Sequence, residues 1–285
     1  MKTILITGIN GFLGSNLAKR FSKKFNVVGT EFSLENLFRI KDLNIPTYLS
    51  NQENIKKLFE QNKVDIIIHT ATFYGRNNED ISQIIETNLM TPLNVLDMAI
   101  KYNVGLFINT DTALDRYTNA YALTKKQFKD WLLLKCDQIK SVNLQLEHFY
   151  GPGASNTNLI NTMIERLQKN EISIDLTLGE QKRDFVFYED ILDAYELIVN
   201  LNHKLPNKFN HFEVGSGDLI SIKELMTKLK RMTNSSSTLN FGAISYRENE
   251  LMKSVSDNTP LLKLGWIPKT KIDEGLLKTI IGKRR

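Results

Sequence analysis

Tyr121 and Lys125 stand four residues apart in the run Ala120-Tyr121-Ala122-Leu123-Thr124-Lys125. On a helix that spacing puts both side chains on one face. A free phenol titrates near 10, about three units above neutral pH, and a neighbouring ammonium favours phenolate and draws that value down. The pair can therefore give a proton to, or take one from, a carbonyl or carbinol oxygen. Thr110 ends the preceding strand and can hydrogen-bond the same oxygen; Thr112, two residues on, is the fallback. A Tyr-x-x-x-Lys pair is common by chance, so its weight rests on the elements that would set a reactant beside it.

The first of these elements opens the chain. Thr3 to Thr7 is a short apolar run, followed at once by Gly8-Ile9-Asn10-Gly11-Phe12-Leu13-Gly14. Leu13, Leu17 and Phe21 then recur at the spacing of one helix face. The reading is strand, tight glycine turn, helix. Such a turn aims backbone N–H groups and the positive end of a helix at one point, where a pyrophosphate fits. Gly8 allows the sharp turn, Gly11 the approach of the ligand, and Gly14 the close packing of helix on strand. Phe25 to Thr30 reads as the second strand, ending in Glu31, 17 residues after Gly14. An acid there accepts hydrogen bonds from the adenosine ribose hydroxyls and repels a 2′-phosphate, which favours NAD(H) over NADP(H). Arg39 keeps NADP(H) open.

Further strands are expected at Ile45–Leu49, Val64–His69, Leu106–Ile108, Val142–Leu146 and Phe209–Val214. Between them lie helical stretches at Asn54–Gln61, Glu79–Tyr102 (interrupted near Pro92), Tyr117–Ile139, Leu159–Leu167 and Ile222–Met232. The alternation predicts an α/β fold: a Rossmann-like, doubly wound parallel sheet with ligands at the carboxyl ends of its strands, and a smaller C-terminal substrate lobe. Thr70, Ala71 and Thr72, at the end of the fourth strand, are small, as a cofactor crevice requires. Asn88 sits inside a helical stretch, where an exposed amide and a functional one are equally compatible with the sequence.

The 285 residues suffice for one large domain or two coupled ones. The net charge of +5 comes from scattered basic residues apart from Lys283-Arg284-Arg285, with no basic stripe and interleaved aromatics, which argues against nucleic acid. No apolar run approaches the ~20 residues that span a bilayer. With no leader evident, a cytoplasmic location and no membrane partner are expected. The single cysteine, Cys136, precludes an intrachain disulfide and reads as a buried thiol beside apolar Trp131 to Leu134. His69, His148, His203 and His211 lack metal-ligand spacing, so no metal is expected.

The chain resembles the extended short-chain dehydrogenases/reductases of the nucleotide-sugar epimerase/dehydratase group. The resemblance covers nearly the whole chain. It rests on Gly8, Gly11 and Gly14; on Thr110 with Tyr121 and Lys125; and on Tyr150-Gly151-Pro152-Gly153. It continues through Arg183-Asp184-Phe185-Val186, Val214-Gly215-Ser216-Gly217, Arg247 with Glu250, and Leu264-Gly265-Trp266-Ile267-Pro268. Several stretches are most similar to the branch that reduces the 4-keto group of CDP-linked 3,6-dideoxyhexoses for lipopolysaccharide O-antigen: Leu146 to Gly151, Tyr74-Gly75-Arg76, Gly179 to Phe185, Phe241-Gly242-Ala243, and Arg247 to Glu250. That branch is associated with NADPH, so Glu31 is a departure; Gln145, where many relatives carry Arg, is another.

The resemblance implies a Rossmann domain over 1–153 plus about 184–214, and a nucleotide-sugar lobe over about 154–183 and 215–285. It implies NAD(P)(H) on Gly8, Gly11, Phe12, Leu13, Gly14, Glu31, Thr70, Ala71, Thr72, Tyr121, Lys125 and His148. A nucleoside-diphosphate sugar, CDP-linked in that branch, is expected on Tyr74, Arg76, Thr112, Tyr150, Asn158, Arg183, Arg247 and Glu250. Catalysis falls to Thr110, Tyr121 and Lys125, and the long helices at 79–102 and 117–139 are expected to pair two chains into a homodimer. A 4,6-dehydratase carries an Asp-Glu pair after the catalytic Thr; here Asp111 is followed by Thr112, which argues against dehydration. A 4-epimerase needs only the same three residues and stays open, as does, more remotely, a non-catalytic NAD(P)-binding regulator.

Overall fold

The computed structural model describes residues 1–76, 79–155, 157–248 and 250–282. Asn249 and the basic end Lys283 to Arg285 lie outside the described residues. In chain order the elements are β1 (Thr3–Thr7), α1 (Phe12–Phe21), β2 (Asn26–Glu31), β3 (Thr47–Leu49), α2 (Gln52–Gln61), β4 (Ile66–His69), α3 (Ile81–Ile85), a π-helical turn (Glu86–Met90) and α4 (Thr91–Lys101). Then come β5 (Leu106–Thr112), α5 (Ala120–Leu134), β6 (Ser141–Leu146), β7 (His148–Tyr150), α6 (Leu159–Gln168), β8 (Ser173–Leu176), β9 (Lys182–Phe187) and α7 (Tyr188–Leu201). The last are β10 (Phe209–Val214), β11 (Leu219–Ser221), α8 (Ile222–Thr233), β12 (Thr238–Phe241), β13 (Lys253–Ser254), α9 (Thr259–Lys263) and α10 (Ile272–Gly282).

Two compact units result: 1–145 with 195–212, and 146–194 with 213–285. The break thus falls at Leu146 rather than at the expected 153, because β7 pairs with β9 and not with the large sheet. The returning segment likewise begins at Tyr195 and not near 184.

The first unit is built on a seven-stranded sheet in the order β10-β6-β5-β4-β1-β2-β3, the doubly wound Rossmann-like arrangement. β1 pairs in parallel with β2 on one side and β4 on the other, so the order reverses at β1 and β4. Ligands bind at such a switch point, beyond the carboxyl ends of the strands. The strands there are continuous apolar runs, Ile4 to Ile6 and Ile66 to Ile68, all at most 2% exposed, as a sheet covered on both faces demands. Leu58, Phe59, Val95, Leu96, Phe107 and Phe128 pack into one core.

Two helices differ from expectation. The irregularity in the 79–102 stretch is the π turn Glu86–Met90, which runs directly into α4 with Pro92 near its start. The 117–139 stretch shortens to Ala120–Leu134, because Asn119 caps it by accepting from the Ala122 N–H at 2.8 Å. Tyr117 is exposed, and Cys136 is half-buried rather than buried, since Leu133 and Leu134 face outward.

The second unit has a small sheet, β11-β9-β13, with β7 also on β9, and a two-stranded pair β12-β8. Its core gathers Tyr150, Ile160, Ile164, Phe187, Leu225 and Leu276. No helix among the described residues is long and apolar enough to cross a membrane.

Candidate active site

The glycine turn is shaped by contacts that leave no room for side chains. Gly8 has φ +66°, donates its N–H to Thr30 at 2.9 Å, and would drive a Cβ to 2.6 Å from the Ala71 backbone. A Cβ on Gly14 would lie 2.2 Å from the Gly8 carbonyl oxygen and 2.9 Å from the Thr70 hydroxyl. α1 starts on Gly11, which has no side chain to cap it. A cradle of this kind fits a dinucleotide pyrophosphate. Thr70 donates to the Thr7 carbonyl at 2.7 Å, tying the ends of β1 and β4 together across the switch point.

Glu31 faces the turn. One carboxylate oxygen accepts the Asn10 N–H at 2.8 Å and the other the Phe32 N–H at 3.0 Å. Arg39 also reaches Asn10: its N–H donates to the Asn10 side chain at 3.0 Å and its guanidinium to the Asn10 carbonyl at 3.4 Å. An acid and a base therefore share the edge where an adenosine ribose would lie.

Tyr121 is in the first turn of α5, with Lys125 one turn on and 2% exposed. Burial, with a smaller contribution from Tyr74, pushes the Tyr121 phenol above its usual range, while the Thr112 and Thr72 hydroxyls beside it favour ionisation. The expected depression by Lys125 is not found: Lys125 does not figure among the groups that act on the Tyr121 phenol, and the net direction is upward, toward the protonated, donating form. Burial likewise pulls Lys125 down to about 8, against Asp111, which raises it, and with Lys126, which lowers it further. The Tyr74 ring lies 4.9 Å from that of Tyr121, and the Arg76 guanidinium stacks on Tyr74 at 4.3 Å.

Thr112, not Thr110, is the threonine brought to Tyr121. Thr110 points elsewhere: its hydroxyl meets that of Tyr195, itself fully buried, at 2.6 Å. β5 runs on to Thr112 because its polar tail is satisfied inside the unit. Asp111 accepts the Thr112 N–H at 2.7 Å on one oxygen, and on the other Lys126 at 3.1 Å and Asn143 at 3.0 Å. Lys126 also donates to the Thr112 carbonyl at 2.5 Å and to Gln145 at 2.9 Å. Asn88 is fully buried in the π turn, not exposed. It brackets Phe73, accepting its N–H and donating to its carbonyl, both at 2.8 Å, and reaches Thr124 at 3.3 Å. Asn88, Asp111 and Lys126 thus fix the segments that carry Thr72, Tyr74, Thr112 and Tyr121; periodicity gave no sign of them.

In the second unit Arg183, little exposed, pairs with Glu250 at 2.5 Å. Arg247 is exposed. His148 is partly exposed, its ring 5.6 Å from that of Phe185. Two expected substrate residues are accounted for structurally instead. Tyr150 is 1% exposed in the core, its hydroxyl donating to the Ile272 carbonyl at 3.4 Å. Asn158 caps α6 and donates to the Phe149 carbonyl at 2.9 Å.

Residues 4–215 match the model of the NAD dependent epimerase/dehydratase family. The chain is 32% identical to a CDP-abequose synthase of Salmonella typhimurium, over 96% of this chain and 95% of the relative. It is 31% identical to one of Salmonella muenchen, over 98% and 97%. A solved Thermus thermophilus UDP-glucose 4-epimerase in complex with NAD superposes with a TM-score of 0.87, at 20% identity and 99% coverage of both chains, a likeness of fold.

Proposed function

We propose, from the premise that this chain belongs to the NAD dependent epimerase/dehydratase family, that it reduces the 4-keto group of a nucleoside-diphosphate deoxyhexose, CDP-linked, in deoxysugar synthesis for a lipopolysaccharide O-antigen. The observation that carries this is the near-full-length likeness to two CDP-abequose synthases. The site supports it with a half-buried phenol, shifted upward from its usual range, beside Thr112.

A reduced nicotinamide bound at the glycine turn would supply the hydride. Tyr121 gives its proton to the alkoxide that develops at C4, which is what a phenol raised by burial is suited to do. Thr112, in the role the sequence suggested for Thr110, hydrogen-bonds the same oxygen. Lys125 holds the ribose hydroxyls of the cofactor. Glu31, turned to the cradle, favours NADH, although relatives of this branch are associated with NADPH. Arg183 and Arg247 hold the substrate pyrophosphate, guanidinium forks matching phosphate oxygens, and Glu250, paired with Arg183, belongs to the same substrate set. We take the enzyme to be a cytoplasmic homodimer; apolar Ile81, Met90, Trp131 and Leu134, each at least 40% exposed on the helices expected to pair, support the dimer.

The test is a screen of CDP-, dTDP-, GDP- and UDP-linked 4-keto sugars, following the loss of reduced nicotinamide absorbance. One cofactor should vanish per sugar reduced, and Tyr121→Phe should slow this by about 10²–10⁴-fold with cofactor binding intact. Interconversion of two 4-hydroxy sugars without net cofactor use would make the chain an epimerase instead.

A further inference from the structure

Glu147 is the single residue between β6 and β7, and its carboxylate is buried, with the side chain 4% exposed. Its N–H donates to the Val214 carbonyl at 2.9 Å, which fixes the backbone on one side. A buried carboxylate is costly unless donors satisfy it. Here the partners are two side chains. The Ser254 hydroxyl donates to one oxygen at 2.6 Å, and the other oxygen lies 3.1 Å from Nδ1 of His148. A carboxylate only accepts, so Nδ1 carries the hydrogen, and Nε2 is left as the nitrogen His148 offers to a ligand.

The ring has one further contact. β7 runs parallel to β9 with His148 opposite Phe185, and the two rings meet at 5.6 Å and 58°. Ser254, on β13, is paired with Arg183 of the same β9, so its hydroxyl is delivered by the sheet and not by a loop. The His148 side chain is nonetheless 37% exposed. The result is an imidazole locked in one tautomer by a buried acid, with its second nitrogen open.

We propose that Glu147, backed by Ser254, is a positioning residue that presents His148 Nε2 as the acceptor for an N–H or O–H donor of a ligand. This rests on the reading that the chain binds NAD(P)H and a nucleotide sugar. The donor is either the amide of the nicotinamide or a hydroxyl of the hexose. A purely structural Glu147 has no need of a neighbour whose other nitrogen stays open, and a freely rotating His148 has no need of a buried carboxylate.

The experiment compares wild type with Glu147→Gln, His148→Phe and the double variant, with thermal unfolding to establish that each folds. Binding of NADH and of CDP-glucose, a 4-hydroxy nucleotide sugar, is measured at equilibrium, so no turnover is required. Both single variants should weaken one of the two ligands about tenfold, the effect of losing one well-placed hydrogen bond and leaving its partner unmet. The double variant should be no worse than His148→Phe alone, because Glu147 acts through the ring. Loss confined to NADH assigns the cofactor amide, and loss confined to CDP-glucose assigns the sugar. In ¹⁵N-histidine spectra wild-type His148 should carry its proton on Nδ1, and Glu147→Gln, whose amide can donate, should shift it toward Nε2. Should Glu147→Gln fail to fold, Ser254→Ala and the wild-type tautomer provide the same test. Binding of both ligands within twofold of wild type in His148→Phe, or a wild-type ring protonated on Nε2 alone, overturns the proposal. Failure of the wild type to consume NADH with any 4-keto sugar overturns the reductase reading instead, and leaves the binding ratios readable.

Discussion

The two threonines at the end of β5 can be separated by substitution. Valine matches threonine in shape and removes only the hydroxyl. In Thr112→Val the group beside the Tyr121 phenol is lost. If Thr112 donates to the oxygen that becomes an alkoxide, the loss should resemble removal of one oxyanion donor, about 10² in turnover, or roughly 3 kcal/mol of barrier. In Thr110→Val the loss falls on Tyr195. Its fully buried hydroxyl meets Thr110 at 2.6 Å and would be left unpaired. An unmet buried hydroxyl costs about 1–3 kcal/mol of stability. For a chain of this size that lowers Tm by roughly 2–10 °C, with turnover at a temperature well below Tm within about threefold of wild type. The assays are NADH-linked turnover and a thermal melt on the same preparations. A Thr110→Val enzyme that keeps its Tm and loses turnover, beside an active Thr112→Val enzyme, would refute the assignment.

Glu31→Ala should shift the NADH-to-NADPH ratio of kcat/KM toward NADPH by about fivefold, since a carboxylate beside a 2′-phosphate costs on the order of 1 kcal/mol at surface dielectric; an unchanged ratio means Arg39 sets the preference. Lys125, held down to about 8 by burial, should lose its charge, and the enzyme its activity, as pH rises through about 8. Its folded pKa lies below the unfolded value of 10.5, so between about 8 and 10.5 the unfolded chain binds more protons and this residue's contribution to stability grows with pH. Lys125→Met should therefore be more stable than wild type at pH 7 in denaturant melts, with the difference shrinking toward pH 10; a less stable variant refutes the account. Light scattering should find a dimer across micromolar concentrations, and a monomer throughout that range would mean the apolar residues on α3 and α5 serve no chain pairing.

The glycine turn could be read from the sequence because its information is local: three glycines, a strand before and a helix after. The choice between Thr110 and Thr112 could not. Residues two apart on a strand face the same side, so no period separates them. What separates them is Tyr195, which arrives 85 residues later to occupy Thr110. Asn88 was hidden for a different reason. The π turn inserts a residue into the helical phase, so a 3.6-residue pattern misplaces the face on which the amide lies. Tyr150 shows the opposite error. Its motif points to a ligand, while the side chain is spent on the core of the second unit. The strands β11 and β13, of three and two residues, are too short to carry any alternation.

Asp111 shows how the surroundings of one residue bear on the choice of reaction. The residue after it is Thr112 where a dehydratase has Glu, which already speaks against dehydration. Asp111 itself speaks against it too. Elimination of water needs a carboxyl able to meet the substrate and exchange a proton with it. Both oxygens of Asp111 are engaged within the first unit by the Thr112 N–H, Lys126 and Asn143, and the residue is 2% exposed. Turning it outward would take the carboxylate from Lys126, whose side chain is only 12% exposed, and leave the Thr112 N–H without its acceptor. The carboxylate that could have served elimination instead holds the strand end on which Thr112 is mounted. Hydride transfer with a proton from Tyr121 needs that strand end rigid and needs no further acid, so the same network that disfavours dehydration favours reduction.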